Sequence, residues 1–183
     1  MFRSCLGAIL AILVALAGDA RAEGPDDPAE RVKRGAVAYR VCSSCHSLRP
    51  GVHLSGPSLA GRWGRKAASV GDYGRYTEAL TKADLVWDTD GLNAWLAGAQ
   101  VLVPGTTMTL RGIADEGARA DLIAFLRVAM AERGAVKVVT SGLLTERTAA
   151  GQVPPDLSEL GADYRIRAIR HCRDAYYITT AGG

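Results

Sequence analysis

The stretch Val41-Cys42-Ser43-Ser44-Cys45-His46-Ser47-Leu48 decides how this sequence is read. It gathers two of the chain's four cysteines and one of its three histidines. The chain has 183 residues, 48% of them hydrophobic, which supports one ordinary domain with a packed core and a remainder. Its net charge is only +3 and no basic stripe runs along it, so nucleic acid is not an expected partner.

The N-terminus sets the compartment. Arg3 is followed by the short apolar run Leu6 to Ala17 and then by Ala20-Arg21-Ala22, a small-x-small pattern. Residues 1–22 read as a cleaved secretory signal, with the mature chain starting near Glu23; an uncleaved membrane anchor is the other reading. The run is too short for an ordinary spanning helix, and no later segment is long and apolar enough to span a bilayer. The expected location is the periplasm. Cleavage removes Cys5 and leaves Cys42, Cys45 and Cys172 in an oxidising compartment, where loose thiols tend to be engaged.

Cys42-x-x-Cys45-His46 is a pattern for covalent haem attachment. Two thiols three positions apart on a helical turn can each add to a vinyl group on one porphyrin edge. The next residue then projects its imidazole over the ring, so His46 can bind iron axially. Three other chemistries compete. A thioredoxin-like Cys-x-x-Cys normally follows a strand, whereas a helix is predicted before Cys42. A disulfide between such close cysteines leaves His46 unexplained. A zinc site needs about four ligands, and His53, His171 and Cys172 show no paired spacing.

Helix signals flank this segment. Asp27-Pro28-Ala29-Glu30 marks a helix start, with a capping carboxylate, a proline at the first helical position and an acid at the positive end. From Ser47 to about Val86 the chain is rich in Gly, Pro and Ser without a sustained period. So long a loop is acceptable in a compact domain only if it wraps something other than protein. Asp88 opens a short helix with Leu92, Trp95 and Leu96, stopped at Gly98. Asp115 opens the last strong helix, with Leu122, Phe125, Leu126 and Ala129 on one stripe and Gly134 just past its end. The haem domain is expected over 23–134 and a linker over 135–158. Residues 159–183 form an extension in which Tyr164 to Thr180 predicts a small β-hairpin.

Met108, in Pro104-Gly105-Thr106-Thr107-Met108, follows a Pro-Gly turn in a polar loop, where a core-filling role has no obvious core. Its thioether is a soft ligand, and a Met/His pair raises a haem reduction potential. The whole set of motifs resembles the class I cytochromes c of the mitochondrial and related bacterial kind. Gly35-x-x-x-Tyr39, the Cys42–His46 pentapeptide, the run Gly56 to Lys66, Tyr76-Thr77, Trp87, Pro104 to Met108 and Arg119 to Leu126 occur in family order. The similarity covers about Asp27 to Met130.

The resemblance implies an all-α class I cytochrome c fold around one haem c, joined to Cys42 and Cys45 and ligated by His46 and Met108. It gives Pro57 the carbonyl that accepts the other imidazole N–H. It places Arg65, Tyr76 and Trp87 around the haem propionates, and crosses the first and last helices at Gly35 and Tyr39, facing Leu122 and Phe125. Trp95 stands where the family commonly has a Tyr near the Met sulfur, Leu110 replaces an aromatic near the haem edge, and Thr107 replaces a Lys. The implied function is one-electron transfer, iron cycling between ferric and ferrous, with an oxidase, a reductase or a periplasmic dehydrogenase as partner and a monomer as the working form. A peroxidase-like enzyme or a ligand-sensing module in which Met108 is displaced is the alternative. Arg165, Arg167, Arg170 and Arg173 in the tail are either a solvated face or a docking patch.

Overall fold

The computed structural model describes residues 27–151, 161–172 and 175–182. The predicted signal, the last seven residues of the predicted linker and the tip of the predicted hairpin lie outside them. Six helices are described, α1 (Pro28–Tyr39), α2 (Glu78–Lys82), α3 (Thr89–Leu102), α4 (Glu116–Ala129), α5 (Gly134–Thr140) and α6 (Glu146–Ala150). Two strands follow, β1 (Ile166–Cys172) and β2 (Ala175–Thr180).

The three expected caps are in place. The carboxylates of Asp27, Asp88 and Asp115 accept from Ala29 N at 2.8 Å, Gly91 N at 2.9 Å and Ala118 N at 2.6 Å. Each satisfies a donor that the first helical turn leaves free. Thr77 caps α2 in the same way through Leu80 N.

α1 crosses α4 where Gly35 brings the backbones together. A Cβ at Gly35 would lie 2.1 Å from Asp121 O and 2.7 Å from Phe125 Cβ, so no other residue permits this crossing. Next to it Tyr39 and Phe125 are fully buried, with ring centroids 5.2 Å apart. The Tyr39 hydroxyl is buried without a hydrogen-bond partner. Arg34 straps the outside of the crossing with two bonds to the Asp121 carboxylate, 2.6 and 2.9 Å.

The long connection from Ser47 to Trp87 contains one short helix, α2, and is otherwise held by scattered backbone bonds. Gly64 N donates to Trp87 O, Trp87 N to Arg65 O and Ala67 N to Leu85 O, at 2.7 to 3.0 Å. These pairs bring the segment around Arg65 back against Trp87.

Three sequence expectations change. α3 does not stop at Gly98. That residue leaves helical geometry (φ 178°, ψ 84°), and the chain then resumes a last turn to Leu102. Gly134 does not merely follow α4, because it starts α5. The predicted linker contains two packed helices, α5 and α6, with Val138, Leu144 and Ala149 in the core. Helices this short get their stability from packing and not from propensity. α6 packs behind the Cys42–His46 segment. Leu48 N donates to Ala149 O at 2.8 Å, and at Gly151 (φ 80°) a Cβ would lie 2.9 Å from His46 O and 3.2 Å from Ser43 O.

The extension forms an antiparallel hairpin, as expected, with Ile169 opposite Ile178 and an irregularity between Ile166 and Ala168. Arg165 and Arg167 are exposed on it. Among the described residues, no helix is long and apolar enough to cross a membrane.

Candidate cofactor site

α1 ends at Tyr39, and the chain tightens into a 3-10 turn over Cys42–Ser44. The amides of Cys45 and His46 both donate to Cys42 O, at 3.0 and 2.9 Å. This turn puts both sulfurs and the imidazole on the wall of one cavity of about 670 Å³, a volume suited to a large cofactor. Cys42 and Cys45 are free thiols, the first half-buried and the second exposed. Burial pushes the Cys42 thiol up to about 11.

His46 is oriented by the polypeptide. Its Nδ1 lies 2.8 Å from Pro57 O, and a carbonyl can only accept, so Nδ1 carries the proton and Nε2 keeps its lone pair. Burial pushes the His46 pKa down, against a smaller upward pull from the Pro57 carbonyl, which favours the neutral ring. Gly56 lies flat against that ring: a Cβ there would sit 2.3 Å from Cε1.

The neighbouring His53 pairs across an isolated bridge with His46, and its Nδ1 accepts from Ser58 N at 3.0 Å. His53 Nε2 lies 3.2 Å from Asp72 Oδ1, an ion-pair distance without hydrogen-bond geometry. The imidazole there holds the Asp72 carboxyl below its usual range.

The other named ligand comes from far downstream. Met108 lines the same cavity, half-buried, after the turn at Pro104-Gly105. The Trp95 indole Nε1 donates to Met108 Sδ at 3.0 Å. Trp95 is buried and packs edge-on to Trp87, with centroids 5.3 Å apart. From the last turn of α3, Gln100 Nε2 donates to Thr106 O at 2.7 Å and to Met108 O at 3.0 Å.

Of the residues singled out in the sequence, Pro57, Tyr76, Trp87 and Trp95 join Cys42, Cys45, His46 and Met108 on the cavity wall. Arg65 does not. It is exposed, and its backbone serves the pairing with Trp87. Arg62, three residues earlier, lines the cavity, together with Arg75 and Arg111. The Arg62 guanidinium is anchored by Ala60 O at 3.0 Å and Ser69 O at 3.3 Å. The motif contains two arginines on one turn-rich segment, and nothing in its spacing tells which one faces inward.

The competing chemistries lose ground on the same geometry. Among the described residues no group of three or more His, Cys, Asp and Glu is placed to hold a metal ion, so a zinc site of protein donors has no basis. The Cys-x-x-Cys follows a helix, unlike a thioredoxin-type motif. By contrast, one lone-pair imidazole, one thioether and two thiols on the wall of a single large cavity fit a covalently held haem.

Comparison with known proteins agrees. No family model matches the chain. A cytochrome c2 from Rhodoplanes tepidamans is 37% identical over 98 residues, which cover 53% of this chain and 91% of that protein. A cytochrome c from Gibberella zeae is 37% identical over 98 residues and is covered to 92%. Among solved structures, cytochrome cH from Methylobacterium extorquens is 36% identical, with 52% of this chain and 96% of that one covered and a TM-score of 0.49. Identity at this level over nearly the whole length of such relatives, together with the wrapped cavity, shows that the chain belongs to the class I c-type cytochromes, monohaem electron carriers, and that its cofactor is haem c.

Proposed function

We propose that this chain is an exported one-electron carrier in which Cys42 and Cys45 hold haem c covalently and His46 and Met108 are its axial ligands. The observation that carries this reading is the convergence of His46 and Met108, 62 positions apart in sequence, on one cavity beside both cysteines. Bound haem c supplies a one-electron Fe(III)/Fe(II) couple, whose potential a Met/His pair raises.

The residues divide the remaining work. The Pro57 carbonyl accepts a hydrogen bond from His46 Nδ1–H, fixing the ring and raising its basicity at Nε2. Trp95 engages one lone pair of the Met108 sulfur and leaves the other for a metal. Arg62, Arg75 and Arg111 bring cations, and Tyr76 a hydroxyl, to a cavity that must satisfy two carboxylates. In this reading Arg62 takes the place expected of Arg65. His46 and Met108 together leave no axial position for a substrate, which favours transfer over turnover. The leader over 1–22 directs the chain to the periplasm, where it works as a monomer with redox protein partners: an oxidase, a reductase or a periplasmic dehydrogenase.

The test is a reversible redox titration of the purified holoprotein, followed by exposure of the reduced form to carbon monoxide and peroxide. A single one-electron step, no carbon monoxide complex at rest and no peroxide turnover are expected. Rapid carbon monoxide binding would contradict the filled ligation and favour an enzyme or a sensor.

A further inference from the structure

The Met108 loop is gripped from both sides of the break in α3. Before Gly98, the Trp95 indole reaches the Met108 sulfur. After Gly98, the Gln100 carboxamide reaches the carbonyls of Thr106 and Met108, at 2.7 and 3.0 Å. A straight continuation of α3 would aim its last turn elsewhere. The departure at Gly98 redirects it, and Val103 N closes the turn on Ala99 O at 2.9 Å. The chain beyond Met108 is tied to the same helix, with Ile113 N donating to Leu96 O at 2.8 Å.

Gln100 has the right chemistry for this place. One amide nitrogen carries two N–H groups in a fixed fork and meets two carbonyls two residues apart. Among the described residues the loop itself adds a turn bond from Thr106 N to Val103 O at 3.1 Å and a long one from Met108 N to the Thr106 hydroxyl at 3.4 Å. Gln100 is exposed and sits outside the core, so its bonds hold the loop and not the fold.

We infer that Gln100 is a positioning residue that holds Met108 on the metal and sets how readily another ligand displaces it. The inference rests on the His46/Met108 ligation proposed above. Without Gln100, the loop loses the one side chain that, among the described residues, ties the Met108 backbone to α3. The open form of the loop is then more populated, and an outside ligand gains by the same factor.

The test uses ferric holoprotein, full chain, titrated with imidazole while the near-infrared sulfur-to-iron band is followed. Gln100→Leu removes both donors, and Gln100→Glu keeps the shape but turns an acceptor towards two carbonyls. Loss of two ordinary hydrogen bonds corresponds to roughly a tenfold gain in imidazole affinity for Gln100→Leu, with a larger gain for Gln100→Glu. The same loss should lower the thermal midpoint by only a few degrees, and Val101→Ala, at a neighbouring residue that is 87% exposed, should titrate like the parent. A parent with the band whose imidazole affinity is unchanged in both variants overturns the role of Gln100 alone. A parent without the band overturns the ligation itself.

Discussion

The two walls of the cavity that carry His46 and Met108 are built on different principles. The His46 wall is backbone against backbone. The Pro57 carbonyl and the bare face of Gly56 close on the imidazole, while a tight turn and the α6 segment brace the backbone behind it. The Met108 wall is a polar loop held by the side chains of Trp95 and Gln100. Backbone contacts in a packed region change only by moving whole segments, whereas a loop on side-chain tethers opens locally. With the ligation proposed above, a carrier built this way would keep His46 permanently and hold Met108 by adjustable bonds, and the proposed tuning would lie on the Met108 side.

The largest effects should follow from filling the His46 wall. Gly56→Ala places a methyl group 2.3 Å from the ring it supports, so either the ring or the loop at Gly56 must move. Overpacking of this kind costs about 1–3 kcal/mol. Chemical denaturation of the holoprotein should show that loss, together with a lower yield of attached haem on a denaturing gel.

Gly151→Ala should come next. It adds strain at φ 80° to a contact 2.9 Å from His46 O, although its nearest neighbour at 2.6 Å is the flexible end of Leu54. A loss of about 1–2 kcal/mol is expected. Gly142→Ala is the comparison, because it has a similar φ of 72° and nothing within 4 Å. Equal losses at the two positions would mean that α6 does not brace the His46 segment.

The smallest effect concerns Asp72, the exposed partner of His53. Its carboxyl is held below the usual range, chiefly by His53. A depressed acid contributes stability above its unfolded-state pKa and loses it as pH falls through the folded-state value. The thermal midpoints of the parent and Asp72→Asn should therefore differ by a constant amount down to about pH 4 and converge below it. A gap that widens on acidification would have the wrong sign. No such dependence is expected from the Met108 loop, whose tethers do not titrate.

This division also explains what was legible in the sequence. Cys42, Cys45 and His46 announce themselves because their chemistry demands a fixed local spacing. The caps at Asp27, Asp88 and Asp115 are equally local, and each forms as read. Met108 was visible as an apolar residue in a polar loop. What was hidden depends on the path of the chain. Arg62 and Arg65 are chemically identical, and only the turn between them sends one to the cavity and the other to solvent. α5 and α6 have seven and five residues, too few to display a period, and they become visible once Val138 and Ala149 are seen to be buried. Gln100 carries no signal at all. Its role comes from the redirection of α3 at Gly98, and glycine in a helical pattern reads first as a stop.

The most direct test of the account is the near-infrared spectrum of the ferric holoprotein and of Met108→Ala. The account predicts covalent haem in both, the weak sulfur-to-iron band in the parent and its absence in the variant. Covalent haem without that band in the parent, or a band that survives Met108→Ala, would contradict it.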